Sequence, residues 1–223
     1  KISKEKLLEW RKKYEEGKYK EEYPIPNYPP GGFFPMPRKG EIYGNVTRYP
    51  ADPTDVFQIT EAEIQLRRQV WKAVEFYKKY IDGFENCYIL QTFSQAGPRE
   101  SRRIIGEYVM KKEDIIEGRE FPDNVARGSY PIDIHFPDKP GVYWEILKKS
   151  SYGIPYRVLV PKNIDNILVA GRCISATSEA LGSLRVMAIC MATGQAAGVA
   201  AAISVTKCIP PRKIPVDEIQ KIL

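Results

Sequence analysis

Three short stretches hold the residue types that catalysis needs. The first is Gly97-Pro-Arg-Glu-Ser-Arg-Arg-Ile-Ile-Gly106, with guanidinium groups at Arg99, Arg102 and Arg103. Arginine recognises carboxylate or phosphate bidentately. In a strand, Arg99 and Arg103 share one face and Arg102 takes the other. Two readings stand: a site for an anionic substrate, or surface pairing with Glu100 and Glu107. The second stretch is Tyr130-Pro-Ile-Asp-Ile-His135, which contains the chain's single histidine. Asp133 precedes His135 by two residues, so in a strand both project to one side. A carboxylate there can orient an imidazole and raise its pKa, as a general acid or base requires. The alternative is a structural histidine closing a loop before Pro137. The third stretch runs from Gly171-Arg172 to Gly182-Ser-Leu-Arg185. It follows the apolar run Ile167–Ala170 and leads into an uncharged segment, 186–205, rich in Ala and Gly. Backbone N–H groups at a helix start there offer partial positive charge to an anion or an electron-rich carbonyl. A buried structural turn also favours Gly and Ser.

Composition narrows the chemistry. Of 223 residues, 43% are hydrophobic and 28% charged, an ordinary globular balance able to bury a sizeable core. The net charge of +6 comes from 34 basic and 28 acidic residues that are intermixed. There is no basic run of five, so nucleic acid is not an expected partner. The four cysteines, Cys87, Cys173, Cys190 and Cys208, lie far apart with no CxxC. They read as free thiols of a reducing, cytoplasmic compartment. With one histidine and no cysteine pair, no metal site is expected.

The elements that must position these residues follow from pattern. Residues 1–22 read as a charged helix docked by Leu7, Leu8 and Trp10. Residues 23–53 hold eight of the eighteen prolines and exclude regular helix, leaving an ordered aromatic-rich loop or short hairpin. Thr60-Glu-Ala-Glu63 is a capping box, and Leu66, Val70, Val74, Tyr77 and Ile81 form the apolar face of the helix it opens. Strands are expected at 86–93, 104–110, 126–135, 156–160 and 167–170. A helical turn is expected at 112–118 and a short helix at 215–223. One long helix, about 183–204, is expected to pack its Gly194, Ala197, Gly198 and Ala201 face on the 167–170 strand.

The 186–205 segment is long enough to span a membrane and contains Gly194-x-x-x-Gly198. It is only weakly hydrophobic, and the expected reading is a soluble core helix rather than a membrane partner.

PRESRRIIGEY (98–108), YPIDIH (130–135), IPYRVLVPK (154–162), NILVAGRCISATSEALGSLRVM (166–187) and GQAAGVAAA (194–202) occur in this order. Together they resemble the C-terminal half of the FAD-dependent oxidoreductase family of bacterial flavoproteins, related in architecture to fumarate reductase and glutathione reductase-type flavin folds. The resemblance implies an α/β (mixed α+β) class: a partial flavin-binding fold, a mixed-sheet substrate domain and a long buried Ala/Gly-rich C-terminal helix. It implies an irregular lead segment at 1–58, a substrate portion at 59–153 and a C-terminal FAD-domain portion at 154–223. Gly171, Arg172, Ser175, Gly182, Ser183, Leu184 and Arg185 would be the flavin contacts, with the helix from Leu184 aimed at the flavin C2 carbonyl. His135, Arg99, Arg102 and Arg103 would face a small, anionic substrate during hydride transfer. The nucleotide-binding GxGxxG of such folds is not found in these residues. The expectation is therefore weak or absent FAD binding by this chain alone, with a Rossmann half supplied in cis or trans. The alternative is a non-enzymatic interaction or small-molecule-binding module.

Overall fold

The computed structural model describes residues 33–136 and 142–223, with scattered positions (5, 8, 9, 12, 13, 16 and 17) before them. The expected helix at 1–22 falls largely outside the described residues, as does the proline-rich start at 23–32. The chain divides into two compact units. One comprises residues 1–97 with 136–141, the other residues 98–135 with 142–223.

In the first unit, β1 (Phe33–Pro35) and β2 (Ile42–Gly44) form an antiparallel hairpin, with Phe34 opposite Tyr43. Among the described residues, the long helix of this unit is α1 (Val56–Tyr80). It starts four residues before the expected capping box. Asp55 is the cap, accepting from the Phe57 and Gln58 N–H groups, while the Gln58 amide returns to its other oxygen at 3.1 Å. Thr60 instead donates back to the Val56 carbonyl at 2.8 Å. The buried face is Ala62, Gln69, Ala73, Phe76 and Tyr77, so the helix is rotated from the expected face and keeps only Tyr77 and Ile81 of it. Phe33 and Phe84 pack on Tyr77. Residues 86–93 are irregular and mostly exposed, not a strand.

The second unit holds the larger core. Its helices are α2 (Lys112–Ile116), α3 (Ser178–Leu184), α4 (Met187–Lys207) and α5 (Val216–Ile222). Its strands pair antiparallel in two ladders. β3 (Asn124–Gly128) runs against β6 (Tyr152–Pro155), and β4 (Ile132–His135) against β5 (Val142–Glu145). Residues 104–110 are extended but join no ladder: isolated bridges pair Gly106 with Pro161 and Met110 with Ala176, and further backbone hydrogen bonds run to Val160, Cys173 and Ser175. Residues 156–158 form a 3-10 turn after Pro155, and 167–170 is an irregular, partly exposed connection.

The Ala/Gly-rich helix is present as α4, but it begins later than expected. Val186 is extended (φ −69°, ψ 149°) and separates α3 from α4. The face packed into the core is Ile189, Thr193, Ala196, Ala200 and Ile203. Gly194, Gly198 and Ala201 are exposed, and no atom lies within 4 Å of where a Cβ of Gly194 or Gly198 would sit. The branched side chains seek the core, which leaves the glycines outside.

Candidate functional site

β4 sets the geometry. Its alternation places Asp133 and His135 on one side, and His135 Nε2 lies 3.0 Å from Asp133 Oδ1. Ile132, on the other side, is fully buried. α3 lies against this strand through Gly182, whose Cβ position would be 3.0 Å from Ile134 Cγ1 and 3.1 Å from Ile132 Cγ2. Only glycine permits so close an approach without displacement. Ser183 pins the same contact: its hydroxyl donates to the Tyr130 carbonyl and pairs with the Tyr152 hydroxyl at 2.6 Å.

Arg185 caps the C-terminus of α3 and turns back to β4. It donates to the Asp133 carbonyl at 2.6 Å and lies 3.5 Å from the Asp133 carboxylate. Arg99 approaches the same carboxylate oxygen at 3.7 Å. Burial works to raise the Asp133 carboxyl, but the His135 hydrogen bond and the charges of His135, Arg185 and Arg99 outweigh it. The net pKa lies below the ordinary aspartate value, so Asp133 is an anion at neutral pH. Burial pushes the Arg185 pKa down and neighbouring Arg99 adds to this, while Asp133 opposes both. The Tyr130 phenol is raised by burial and then by Asp133. Tyr130 is a site neighbour the sequence reading passed over. Its position, three residues before Asp133 in YPIDIH, was the available signal.

The three expected arginines separate. Arg99 joins the Asp133–His135–Arg185 cluster. Arg103 pairs instead with Glu100, whose other oxygen accepts from Ser178 at 2.8 Å. That pairing ties the 98–103 loop to α3. Arg102 is exposed and has no ion pair among the described residues.

The expected flavin contacts also separate. Ser175 is fully buried, and its hydroxyl accepts from Gly106 N–H at 2.9 Å. Gly182, Ser183 and Leu184 are buried in α3. Leu184 ends that helix, so no helix N-terminus lies there. Gly171 and Arg172 stand nearer the surface on a 3-10 turn. Gly171 takes the left-handed conformation (φ 73°) and donates to Thr193 Oγ1 at 3.2 Å. Arg172 donates to the Pro98 carbonyl. Cys190 links the two groups, with its thiol 3.4 Å from the Arg185 carbonyl and its Sγ 3.8 Å from the Cβ position of Gly171. Among the described residues no group of His, Cys, Asp or Glu side chains is arranged for a metal ion.

The sequence model of the family described as "FAD dependent oxidoreductase" matches residues 2–223. The chain belongs to this family. No curated protein and no solved structure matches it. Family membership implies FAD as cofactor and a flavin oxidoreductase activity. The fold, mixed α/β with small sheets and helices, agrees with part of a flavin-binding architecture.

The ring end of a flavin calls for backbone donors facing its electron-rich carbonyls. The first turn of α4 has no side-chain cap, and Met187 and Ala188 are exposed there. The orphan N–H groups of such a turn suit an electron-rich carbonyl. Gly171 and Arg172 lie on the turn that packs against the same helix. For an adenosine diphosphate these residues offer no equivalent cradle, since GxGxxG is not found in them. α4 is long and apolar enough to cross a membrane by length and composition. One of its faces is nevertheless committed to the protein core.

Proposed function

We propose that this chain supplies the ring-facing loop and the substrate pocket of an FAD-dependent oxidoreductase that moves a hydride between an anionic small molecule and flavin. The observation that carries the reading is the convergence of Arg99, Asp133, His135 and Arg185 at the junction of α3 and α4. Bound flavin supplies the two-electron acceptor. The remaining work falls to the chain. Arg102, exposed and without an ion pair, binds the substrate anion, assisted by Arg99. His135, oriented by Asp133, moves the proton that accompanies hydride loss from the substrate. Arg185 fixes Asp133 and keeps it ionised. Gly171, Arg172 and the N-terminal turn of α4 hold the ring end of the cofactor.

In this reading 59–153 is the substrate portion and 154–223 the cofactor portion. The nucleotide-binding part comes from a segment outside these residues, in cis or in trans. The outer face of α4 supports this. Met187, Met191, Gly194, Gly198 and Val205 are exposed on it, and its glycines admit close backbone approach. The four unpaired thiols and the core-packed helix support a soluble protein in the cytoplasm.

Calorimetry with FAD tests the assignment of halves. The chain should bind weakly or not at all, and addition of the nucleotide-binding segment should restore tight binding. Tight binding by the chain alone overturns that division. In the complete enzyme, stopped-flow reduction of flavin tests the site. His135→Ala should slow it by roughly a hundredfold, and Arg102→Ala should raise KM with little change in kcat.

A further inference from the structure

α1 has a second face whose large apolar side chains stay exposed. Phe57, Ile64 and Trp71 recur at seven-residue intervals and are 83%, 43% and 65% exposed. At 100° per residue they fall within about 40° of one another and roughly 150° from the buried set around Ala62, Gln69, Ala73 and Phe76. Glu61, Arg68 and Glu75 are exposed on the same stripe. Arg68 and Glu75 form no ion pair among the described residues. The stripe therefore alternates apolar and charged groups in the order Phe57, Glu61, Ile64, Arg68, Trp71, Glu75.

We propose that this stripe is the seam of an antiparallel α1–α1 dimer of the chain, with its two-fold axis at Ile64. The sequence is self-complementary about that residue. Phe57 and Trp71 stand seven positions to either side of Ile64, so each Phe57 meets the Trp71 of the other copy. Glu61 and Arg68 stand three and four positions to either side, so each carboxylate meets a guanidinium. An isologous interface requires such reciprocity. Parallel pairing sets Glu61 against Glu61 and Arg68 against Arg68, and repulsion disfavours it. Charge thus selects the antiparallel arrangement.

The seam from Phe57 to Glu75 is about 28 Å long at 1.5 Å per residue. A single pair of helices gives an interface at or below the low end of the standard range, about 1,200 Å² in total. The dimer is accordingly concentration-dependent.

Sedimentation equilibrium of the 223-residue chain, with far-UV circular dichroism to verify folding, tests this. Wild type should pass from monomer to dimer with rising concentration. Ile64→Glu places two carboxylates on the axis and should abolish the dimer. Glu61→Arg should weaken it at least tenfold, and Glu61→Arg with Arg68→Glu should restore it. Parallel pairing predicts no loss from Glu61→Arg, because one like-charged pair replaces another. A chain that stays monomeric at about 100 µM, a dimer indifferent to Ile64→Glu, or a double exchange that fails to restore association overturns the proposal.

Discussion

Arg185 and Asp133 are joined twice: the guanidinium donates to the Asp133 carbonyl at 2.6 Å and lies 3.5 Å from its carboxylate. The pair closes 52 residues of chain and fastens the end of α3 to β4. Both side chains are about nine-tenths buried, whereas Arg99 is 41% exposed. Burial decides the ranking of the two arginines. Arg185→Ala removes a buried charge and two contacts and should cost about 2 kcal/mol, held down by the His135 and Arg99 contacts that remain to Asp133. Arg99→Ala should cost less than about 1 kcal/mol. Urea denaturation of both variants checks this, and equal losses would sink the ranking.

Asp133 has a pKa below that of an ordinary aspartate, so its contribution to stability has a definite sign with pH. The unfolded chain takes up the proton first as pH falls. The stabilisation is present above the unfolded value of about 3.9 and is lost as pH drops through the lower folded value. Wild type should therefore exceed Asp133→Asn in stability at neutral pH, with the gap narrowing below about pH 4. Denaturant midpoints for the two proteins across acid pH test this. A gap that widens on acidification contradicts the assignment.

Much of the site was legible because its signals are local. The two-residue spacing of Asp133 and His135 needed only a strand, and β4 provides one. Gly118, at the end of α2, takes the positive φ (59°) expected of a helix-terminating glycine. Of the three arginines, Arg99 alone joins His135 and Arg185 around Asp133. Arg103 turned to Glu100, an ion pair three residues away that was as visible in the sequence as the site itself. The misread strands share one cause. IIGEYVM and YRVLV have the branched and aromatic residues of strands, but each is extended chain or a tight turn that joins no ladder. Pro155 and Pro161 bracket the second and withhold ladder donors. The start of α1 was misplaced because Asp55-Val-Phe-Gln58 is also a capping pattern, one that lies further upstream than Thr60. The break at Val186 has no Gly or Pro to announce it. It comes from Arg185 turning back to Asp133, a contact that no local pattern encodes.

Two tyrosines should govern alkaline stability. Burial pushes the Tyr156 phenol up to about 12, and its hydroxyl donates to the Pro211 carbonyl at 3.1 Å. Tyr152 is raised further by burial, with its Ser183 hydrogen bond opposing. Groups raised in the folded state give stability that is complete below the unfolded value, near 10, and is lost as pH rises toward the folded one. Each tyrosine should remove about 1.4 kcal/mol per pH unit in that window. Tyr156→Phe should lower stability at neutral pH by about 1 kcal/mol yet flatten the decline above about pH 10. Guanidinium midpoints at stepped pH, with tyrosinate absorbance recorded alongside, check both effects. An unchanged alkaline slope in the variant counts against this origin.

Glycines of the second unit should separate structural from docking roles. A Cβ on Gly106 would lie 2.8 Å from Ser175 Cβ, 3.0 Å from the Arg157 carbonyl oxygen and 3.1 Å from that of Val160. Backbone on two sides leaves no room to yield, so Gly106→Ala should destabilise the chain by about 2 kcal/mol or more. Gly194 and Gly198 meet open space instead. Alanine there removes only the entropic cost of mid-helix glycine, so each substitution should stabilise the chain by about 0.5–1 kcal/mol. The same methyl groups occupy the face proposed to receive the nucleotide-binding segment. Gly194→Ala and Gly198→Ala should therefore raise the melting temperature of the chain while weakening its assembly with that segment, read as lower FAD affinity of the complete protein by calorimetry. Stabilisation with unaltered FAD affinity would place the segment elsewhere than on the outer face of α4.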